Sequence, residues 1–430
     1  MAEVYPFCGY RYNPKKINNI NQVVTPPYDK INEREQESYY TASPYNIVRL
    51  ILGKGEKPFN NRYEEAADNL NKWMKKNIVV KEDKKVFYVY VQEYEIENKK
   101  YKRKGFIGLG KIEGEEGVKA HEETMEGPKA DRLNLIRATE ANFGHIFMLY
   151  SDKEKKVNNI LNQIVEKDEP LLEVKDKDQN KHQLWKIEDA EAIDLIKEHM
   201  KNKKLYIADG HHRYQTALNF KNECEKKGYT GDFDKRMMTF VNIEDPGLTI
   251  LPTHRLVYGL PKFNIDKFLK EIKSEFSVSQ FIEKEDMYDK MEKNVDENIF
   301  GFCSKYDDKY YTLTLKEDKL MDSLIPDHSR KWRKLDVAVL HKAILERYMG
   351  IDEKALEEKR NIDYIRYRDQ AIKQLKNDDK YQTAFILNPT SVQEVKEVAD
   401  IGERMPQKST DFYPKLLTGL TLFKLSIDKK

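Results

Sequence analysis

The sequence predicts a mixed α/β fold, and three stretches carry that prediction. The apolar run Leu205-Tyr206-Ile207-Ala208 leads through Asp209-Gly210 into Gln215-Thr216-Ala217-Leu218-Asn219-Phe220, a strand-turn-helix unit. Val86-Phe87-Tyr88-Val89-Tyr90-Val91 and Gly105-Phe106-Ile107-Gly108-Leu109 flank the polar stretch Glu97-Asn98-Lys99-Lys100, as an antiparallel hairpin does. Tyr63, Ala66, Ala67, Leu70, Trp73 and Met74 recur at helical spacing over residues 59–77, which gives an amphipathic helix. A crossover unit and a hairpin in one chain imply a mixed sheet. At 430 residues the chain exceeds one typical core, so two domains are expected, 1–245 and 246–430.

In chain order, Val23-Val24-Thr25 reads as a short strand stopped by Pro26-Pro27, because proline cannot continue a ladder. A helix is expected from Asp29 through Glu35, and residues 43–50 return as a strand. After the hairpin, a helix is expected over Asp131 to Thr139, with Lys129 and Arg132 spaced to share a face. Asn142 to Tyr150 reads as a buried strand with His145 as a core histidine. A charged helix follows over Lys153 to Lys167, then a hairpin over 171–188 and a helix over 189–201.

Beyond the central unit, Met237 to Ile243 reads as a strand and Asp245-Pro246-Gly247 as a turn. Residues 249–258 form a strand with His254-Arg255 in its middle. Residues 263–297 read as charged helices, 298–316 as two strands, Leu335 to Tyr348 as a core helix, Ala384 to Pro389 as a strand and turn, and Val392 to Ala399 as a helix. Residues 405–416 lack periodicity and read as a loop.

Composition bounds the function classes. Lys+Arg 76 against Asp+Glu 74 leaves a net charge of +2, too small for a nucleic-acid or membrane-surface protein to be read from charge. Cys8, Cys224 and Cys303 form no CxxC pair and no even set, which argues against a disulfide framework or a zinc site. No run approaches the roughly 20 apolar residues of a membrane span, and Met1 to Phe7 lacks signal-peptide character. A cytoplasmic protein is expected.

Chemistry gathers in two places. Asp209-Gly210-His211-His212-Arg213-Tyr214 opens a helix, where unpaired backbone N–H groups and the positive dipole end suit a phosphate, Asp209 being the N-cap candidate. His121-Glu122-Glu123-Thr124 with Lys129-Ala130-Asp131-Arg132 sets an imidazole and carboxylates beside a lysine and an arginine that could clamp a phosphate, or could instead form an ion-pair cluster with Asp131 and Glu140. Lys408-Ser409-Thr410 is like the end of a Walker A loop, but the upstream Gly-x-x-x-x-Gly is missing, so a P-loop is rejected.

Val23 to Asp29, His121 to Thr124 with Lys129 to Arg132, Ala208 to Tyr214, Leu251-Pro252-Thr253-His254-Arg255 and Met405 to Lys415 together resemble the family catalogued as domain of unknown function 1015, often labelled ParB-like. More distantly, Gly210-His211-His212-Arg213 resembles the phosphate-binding turn of the superfamily holding ParB CTPases, sulfiredoxins and free serine kinases. That resemblance implies a ParB/sulfiredoxin-like nucleotide-binding core with insertions over 1–245 and an additional α+β domain over 246–430, whose Met405 to Lys415 loop closes the site. His211 stands where sulfiredoxin has its cysteine, which disfavours sulfinic acid repair.

The expected activity is a phosphotransferase acting on a small-molecule hydroxyl, free L-serine first, with ATP or ADP and Mg²⁺. Gly210, His211, His212 and Arg213 fall to the phosphates, Lys129 and Arg132 to a clamp, and Lys408, Ser409, Thr410 and Lys415 to closure. Asp209 or Glu122 would hold Mg²⁺ or act as base, with Asp29 and His212 as further catalytic candidates. The expected partners are a nucleotide and an amino acid, and a homodimer is allowed. A nucleotide-binding switch and a metal-dependent hydrolase using His121, Glu122, Asp209, His211 and His212 are the alternatives.

Overall fold

The structure is a computed structural model that describes residues 2–59, 61–114, 117–121, 126–358 and 360–429. Two compact units divide the chain. The described residues of Met1–Ala120, Thr124–Thr249 and Pro414–Lys430 form the first, and those of His121–Glu123 and Ile250–Tyr413 form the second.

The first unit is built on a nine-stranded mixed sheet. Its strands are β1 (Val4–Tyr5), β2 (Phe87–Ile96), β3 (Lys99–Lys111), β4 (Val118–Lys119), β5 (Ile146–Tyr150), β6 (Leu172–Lys175), β7 (Lys181–Ile187), β8 (Leu205–Asp209) and β9 (Lys235–Asn242). They run in the order β4-β8-β5-β9-β3-β2-β7-β6, and β1 pairs β3. The pairs β8/β4 and β9/β5 are parallel, while β2/β3 and β3/β9 are antiparallel. The β2/β3 hairpin turns at Glu97 and Asn98, whose φ values of 49° and 64° are those a two-residue primed turn requires.

Helices α1 (Glu33–Ala42), α2 (Val48–Ile51), α3 (Arg62–Lys75), α4 (Glu126–Thr139), α5 (Lys156–Lys167), α6 (Ala190–Met200) and α7 (His211–Lys226) belong to this unit. The amphipathic reading of 59–77 is α3, capped by the Asn61 side chain and burying Ala66, Leu70 and Trp73. α6, capped by Asp189, delivers Ile193, Ile196 and Met200 to a core shared with Phe87, Val89, Met148, Ile207 and Phe240. Fully removing such side chains from water stabilises the fold by about 2 kcal/mol each.

Several local expectations are corrected. Residues 43–50 give helix α2 rather than a strand, because Asn46 accepts from the Val48 amide (2.9 Å) and donates to the Gln22 carbonyl (2.7 Å), a side-chain turn that overrides the β-branched residues around it. Asp29 lies in a 3₁₀ turn, Tyr28–Lys30, and the helix proper starts at Glu33 behind a capping box of Asn32 and Glu35. α4 begins at Glu126 and not at Asp131, which puts Pro128 in the first turn, where its missing N–H costs nothing.

The second unit carries a six-stranded sheet, β10 (His254–Tyr258), β11 (Phe276–Phe281), β12 (Ile299–Ser304), β13 (Tyr310–Leu315), β14 (Ile362–Ile365) and β15 (Tyr381–Ile386), in the order β11-β13-β12-β15-β10-β14. All its pairings are antiparallel. Its core gathers Leu256, Met287, Met291, Ile299, Leu375, Ala384 and Ile386. Residues 263–297 are not all helical, since β11 separates α8 (Ile265–Ile272) from α9 (Lys284–Glu292). The alternation in Phe276-Ser277-Val278-Ser279 is the strand signal. His254 and Arg255 open β10 and do not sit in its middle. The core helix expected over Leu335 to Tyr348 runs from Asp336 to Met349, but its central seven residues, Leu340–Glu346, are π-helical. Among the described residues, no helix is long and apolar enough to cross a membrane.

Candidate functional site

The turn between β8 and α7 places the first group of side chains. Gly210, at φ 98°, takes the N-cap position with no side-chain cap, so Asp209 is the last residue of the strand and not the cap. The left-handed backbone there favours glycine, and a Cβ on Gly210 would lie 3.0 Å from Arg213 Nε. The Arg213 guanidinium therefore folds back over the turn. Its Nη2 donates to Asp209 Oδ2 at 2.7 Å, and its Nη1 donates to the His145 backbone carbonyl.

Asp209 is held from its other side by Lys415, whose Nζ lies 3.0 Å from Oδ1. Burial opposes ionisation, but the charges of Lys415 and then Arg213 hold the Asp209 carboxyl well below the usual carboxylate range. It is thus a fixed anion that orients two cations, and a weak proton acceptor. His145, which the sequence reading placed in the core, is buried with Nδ1 on Thr239 Oγ1 (2.9 Å) and Nε2 on Thr421 Oγ1 (3.0 Å). Burial, with Arg213 and Arg236 nearby, pushes its pKa down to about 3 and keeps it neutral.

Arg213 also lines a cleft of about 500 Å³, open solvent included, with Arg132 from α4, Arg236 from β9, and Tyr28, Gly144, Thr216 and Thr418. Arg132 donates from Nε to Asp131 Oδ2 (2.8 Å) and from Nη2 to the Ile51 carbonyl (2.9 Å), with its guanidinium 4.1 Å from the centre of the Tyr28 ring. Asp131 is shared, since Arg62 also pairs with it and Tyr63 donates to it at 2.8 Å.

Arg236 differs from its neighbours. It is only 9% exposed, and its Nε is buried with no hydrogen-bond partner. Among the described residues no carboxylate pairs with it. Burial, then the like charges of Arg213 and Arg132, push its pKa down to about 9. The ion pairs of this region set Asp131 and Asp209 against Arg62, Arg132, Arg213 and Lys415, so the carboxylates are already outnumbered before Arg236 adds its charge. A buried guanidinium without a counter-ion is costly, and an anion entering the cleft would relieve that cost.

The remaining expected residues fall as follows. His211 is buried and His212 half-buried in the first turn of α7. Half-buried Lys129 offers its carbonyl to Thr216 Oγ1 at 3.4 Å. Asp29 is exposed, one residue after the cleft-lining Tyr28. Glu122 lies outside the described residues. Lys408, Ser409 and Thr410 belong to the second unit: Ser409 Oγ donates to the Pro406 carbonyl (2.6 Å), Thr410 Oγ1 lies 3.2 Å from His121 Nε2, and the Lys408 carbonyl accepts from Arg255 Nη2 at 3.3 Å.

Sequence reading missed Arg236, Tyr28, Thr216 and Thr418. For Arg236 a signal existed, a lone arginine at the head of the apolar strand Met237 to Val241. For a Mg²⁺ ion, Asp209 has both oxygens engaged by cations, and among the described residues no group of three metal-ligating side chains gathers. The described residues therefore do not fit a protein-held Mg²⁺.

The model of the family described as "Protein of unknown function (DUF1015)" matches residues 4–338. The chain belongs to the DUF1015 family. No curated protein matches this DUF1015 chain. Among solved structures it is similar to a conserved hypothetical protein from Pyrococcus furiosus, at 13% identity and a TM-score of 0.32, covering 69% of this chain and 88% of that one. It is also similar to a free serine kinase in complex with AMP, at 13% identity and TM-score 0.34, over 76% and 88% of the two chains. A third is SbnI with C-terminal truncation from Staphylococcus aureus, at 11% identity and TM-score 0.35, over 73% and 85%. At these identities and scores, no property of those proteins carries over to the DUF1015 chain.

Proposed function

We propose that the cleft of Arg132, Arg213 and Arg236 binds the phosphate groups of a nucleotide, ATP or ADP, and that the protein transfers a phosphoryl group to the hydroxyl of a small molecule. The observation that carries this reading is Arg236, buried beside two other arginines with no carboxylate of its own. Planar guanidinium forks match phosphate oxygens, and in a water-poor cleft they stabilise charge spread over a transferring phosphoryl group. The start of α7 adds amide donors that have no partner within the helix.

In the transfer, the acceptor hydroxyl oxygen forms a bond to the terminal phosphorus, the bond to the leaving nucleotide oxygen breaks, and the hydroxyl proton passes to a carboxylate. Asp209 is unsuited to receive it, because Lys415 and Arg213 stabilise its charge. Asp29, exposed beside Tyr28, is the base this reading favours, with His212 next. Free L-serine is the preferred acceptor, a choice that rests on the likeness of the Gly210 to Arg213 turn to that of the free serine kinases. Lys129 would extend the phosphate clamp. Cytoplasmic location and a homodimer belong to the same proposal.

The clamped state of Asp209 favours a second reading, in which the cleft binds nucleotide as a switch and transfers nothing. One experiment separates the two. The protein is incubated with Mg²⁺, ATP or ADP and a mixture of amino acids, and products are read by phosphorus NMR and mass spectrometry. O-phospho-L-serine is the expected product. Nucleotide binding without any phosphorylated acceptor would leave the switch, and absence of nucleotide binding in calorimetry would end both readings.

A further inference from the structure

The second unit contains a pocket of its own, about 850 Å³ with its open mouth included. At its wall stands His341, in the second position of the π-helical segment Leu340–Glu346. A π-turn replaces the tighter α-helical bonds with i→i+5 bonds and occurs frequently at functional sites. His341 is 7% exposed. Its Nε2 lies 3.3 Å from Arg255 Nη2, and since a guanidinium can only donate, Nε2 accepts. The ring's proton therefore sits on Nδ1. Burial, with Arg255 and Lys342 nearby, pushes the pKa well below the usual histidine value, so the ring stays neutral and keeps that tautomer. Among the described residues Nδ1–H has no hydrogen-bond acceptor, and it is not one of the fully buried atoms, so it keeps contact with solvent.

Other groups define what that donor would meet. Trp332 stacks on His328 at 3.8 Å, and its indole N–H is already spent on the Arg404 carbonyl, so Trp332, Leu356 and Met405 offer apolar surface. At the rim, Lys342 is shared by Glu346 (3.0 Å) and Glu353 (3.4 Å), and Glu357 adds a third carboxylate. The lining thus holds three carboxylates against Lys342 and Arg404, with the neutral His341 donor set deeper. We propose that this pocket binds an amino acid with an apolar side chain, its carboxylate on His341 Nδ1–H and Lys342, its ammonium among the glutamates, and its side chain against Trp332, Leu356 and Met405. The site is separate from the phosphate cleft, and its test does not depend on phosphoryl transfer.

The test is calorimetry and saturation-transfer NMR on the full chain with L-leucine, L-methionine and L-phenylalanine. 4-Methylpentanoate, which lacks the ammonium, and leucinol, which lacks the carboxylate, serve as controls. Leucine is expected to bind and each control to bind about tenfold more weakly or worse, because each leaves buried polar groups unpaired. His341→Phe, which keeps the ring's shape, should weaken leucine by a similar factor. Should that variant fail to fold, the exposed pair Glu353→Gln/Glu357→Gln provides the same readout through the ammonium. No binding by any of the three amino acids would overturn the proposal. So would a control that binds as tightly as leucine, or undiminished leucine affinity in the folded variants.

Discussion

The cleft of the first unit and the pocket of the second both have a buried arginine behind them, and they present it differently. Both have a buried Nε without a partner, but in the cleft Arg236 lines the opening itself and makes no hydrogen bond among the described residues. In the pocket, Arg255 is fully buried behind His341 and donates into the imidazole, so what reaches the pocket is a neutral N–H. A bare guanidinium favours a strongly charged acceptor such as a phosphate, whereas a relayed donor favours a carboxylate or carbonyl, whose charge needs less neutralisation. Arg103 supplies a third case. It is fully buried, yet it donates to Gln92 Oε1 (3.0 Å from Nε) and to the Pro414 carbonyl, and it lies 4.7 Å over the Phe147 ring. Burial of an arginine alone does not mark a site. The absence of acceptors around it does.

The largest expected effect tests that contrast. Arg236→Met should lower nucleotide affinity by about 3 kcal/mol, read by calorimetry, since it removes a charge-assisted donor from a desolvated anion site. The fold should not suffer. Burial and two like charges already depress the Arg236 pKa to about 9, so its charge is a cost to the native state, and the urea midpoint should hold or rise. If the midpoint falls instead, Arg236 is a structural residue like Arg103. Arg103→Met should do the opposite, destabilising the chain by about 2 kcal/mol in urea unfolding because buried acceptors lose their donor.

Lys415→Met should cost about 2 kcal/mol at neutral pH, between the values for exposed and fully buried pairs. The sign with pH follows from Asp209. Its folded-state pKa is depressed, so the stabilisation is present above its unfolded value near 3.9 and is lost as pH falls toward the folded value. The stability gap between wild type and variant should therefore narrow below about pH 4. A gap independent of pH would detach Lys415 from Asp209. The smallest effect is Arg213→Lys, which keeps the charge but can no longer serve Asp209 and the His145 carbonyl together. Nucleotide affinity should fall about tenfold.

Much of the sheet was legible because its signals are local. The Glu97-Asn98 turn and the apolar alternation around it specify the hairpin without reference to the rest of the chain, and the spacing of Ala66, Leu70 and Trp73 specifies α3. Residues 43–50 were misread because Asn46 bonds to Gln22, a partner that no periodicity reveals. Of the cleft's lining, Arg213 and Arg132 were legible, because charged residues cluster around them in sequence. Arg236 escaped because its meaning lies in what is missing around it, and an unfilled valence is a property of three-dimensional packing. His341 escaped for a related reason, since Leu335 to Tyr348 reads as one α-helix and no residue in it marks the π-turn.

Asp209 and Lys415 are 206 residues apart, and the lysine belongs to the returning segment Pro414–Lys430. Synthesis runs from the amino end, so the β8–α7 turn leaves the ribosome long before its counter-ion exists. Until the last stretch emerges, Asp209 has Arg213 alone, and β2 and β3 lack the backbone carbonyls that Gln92 and Arg103 engage at Lys415 and Pro414. The charge arrangement of the cleft is therefore complete only after residues 414–430 have been made, and a shorter nascent chain carries the motif without it.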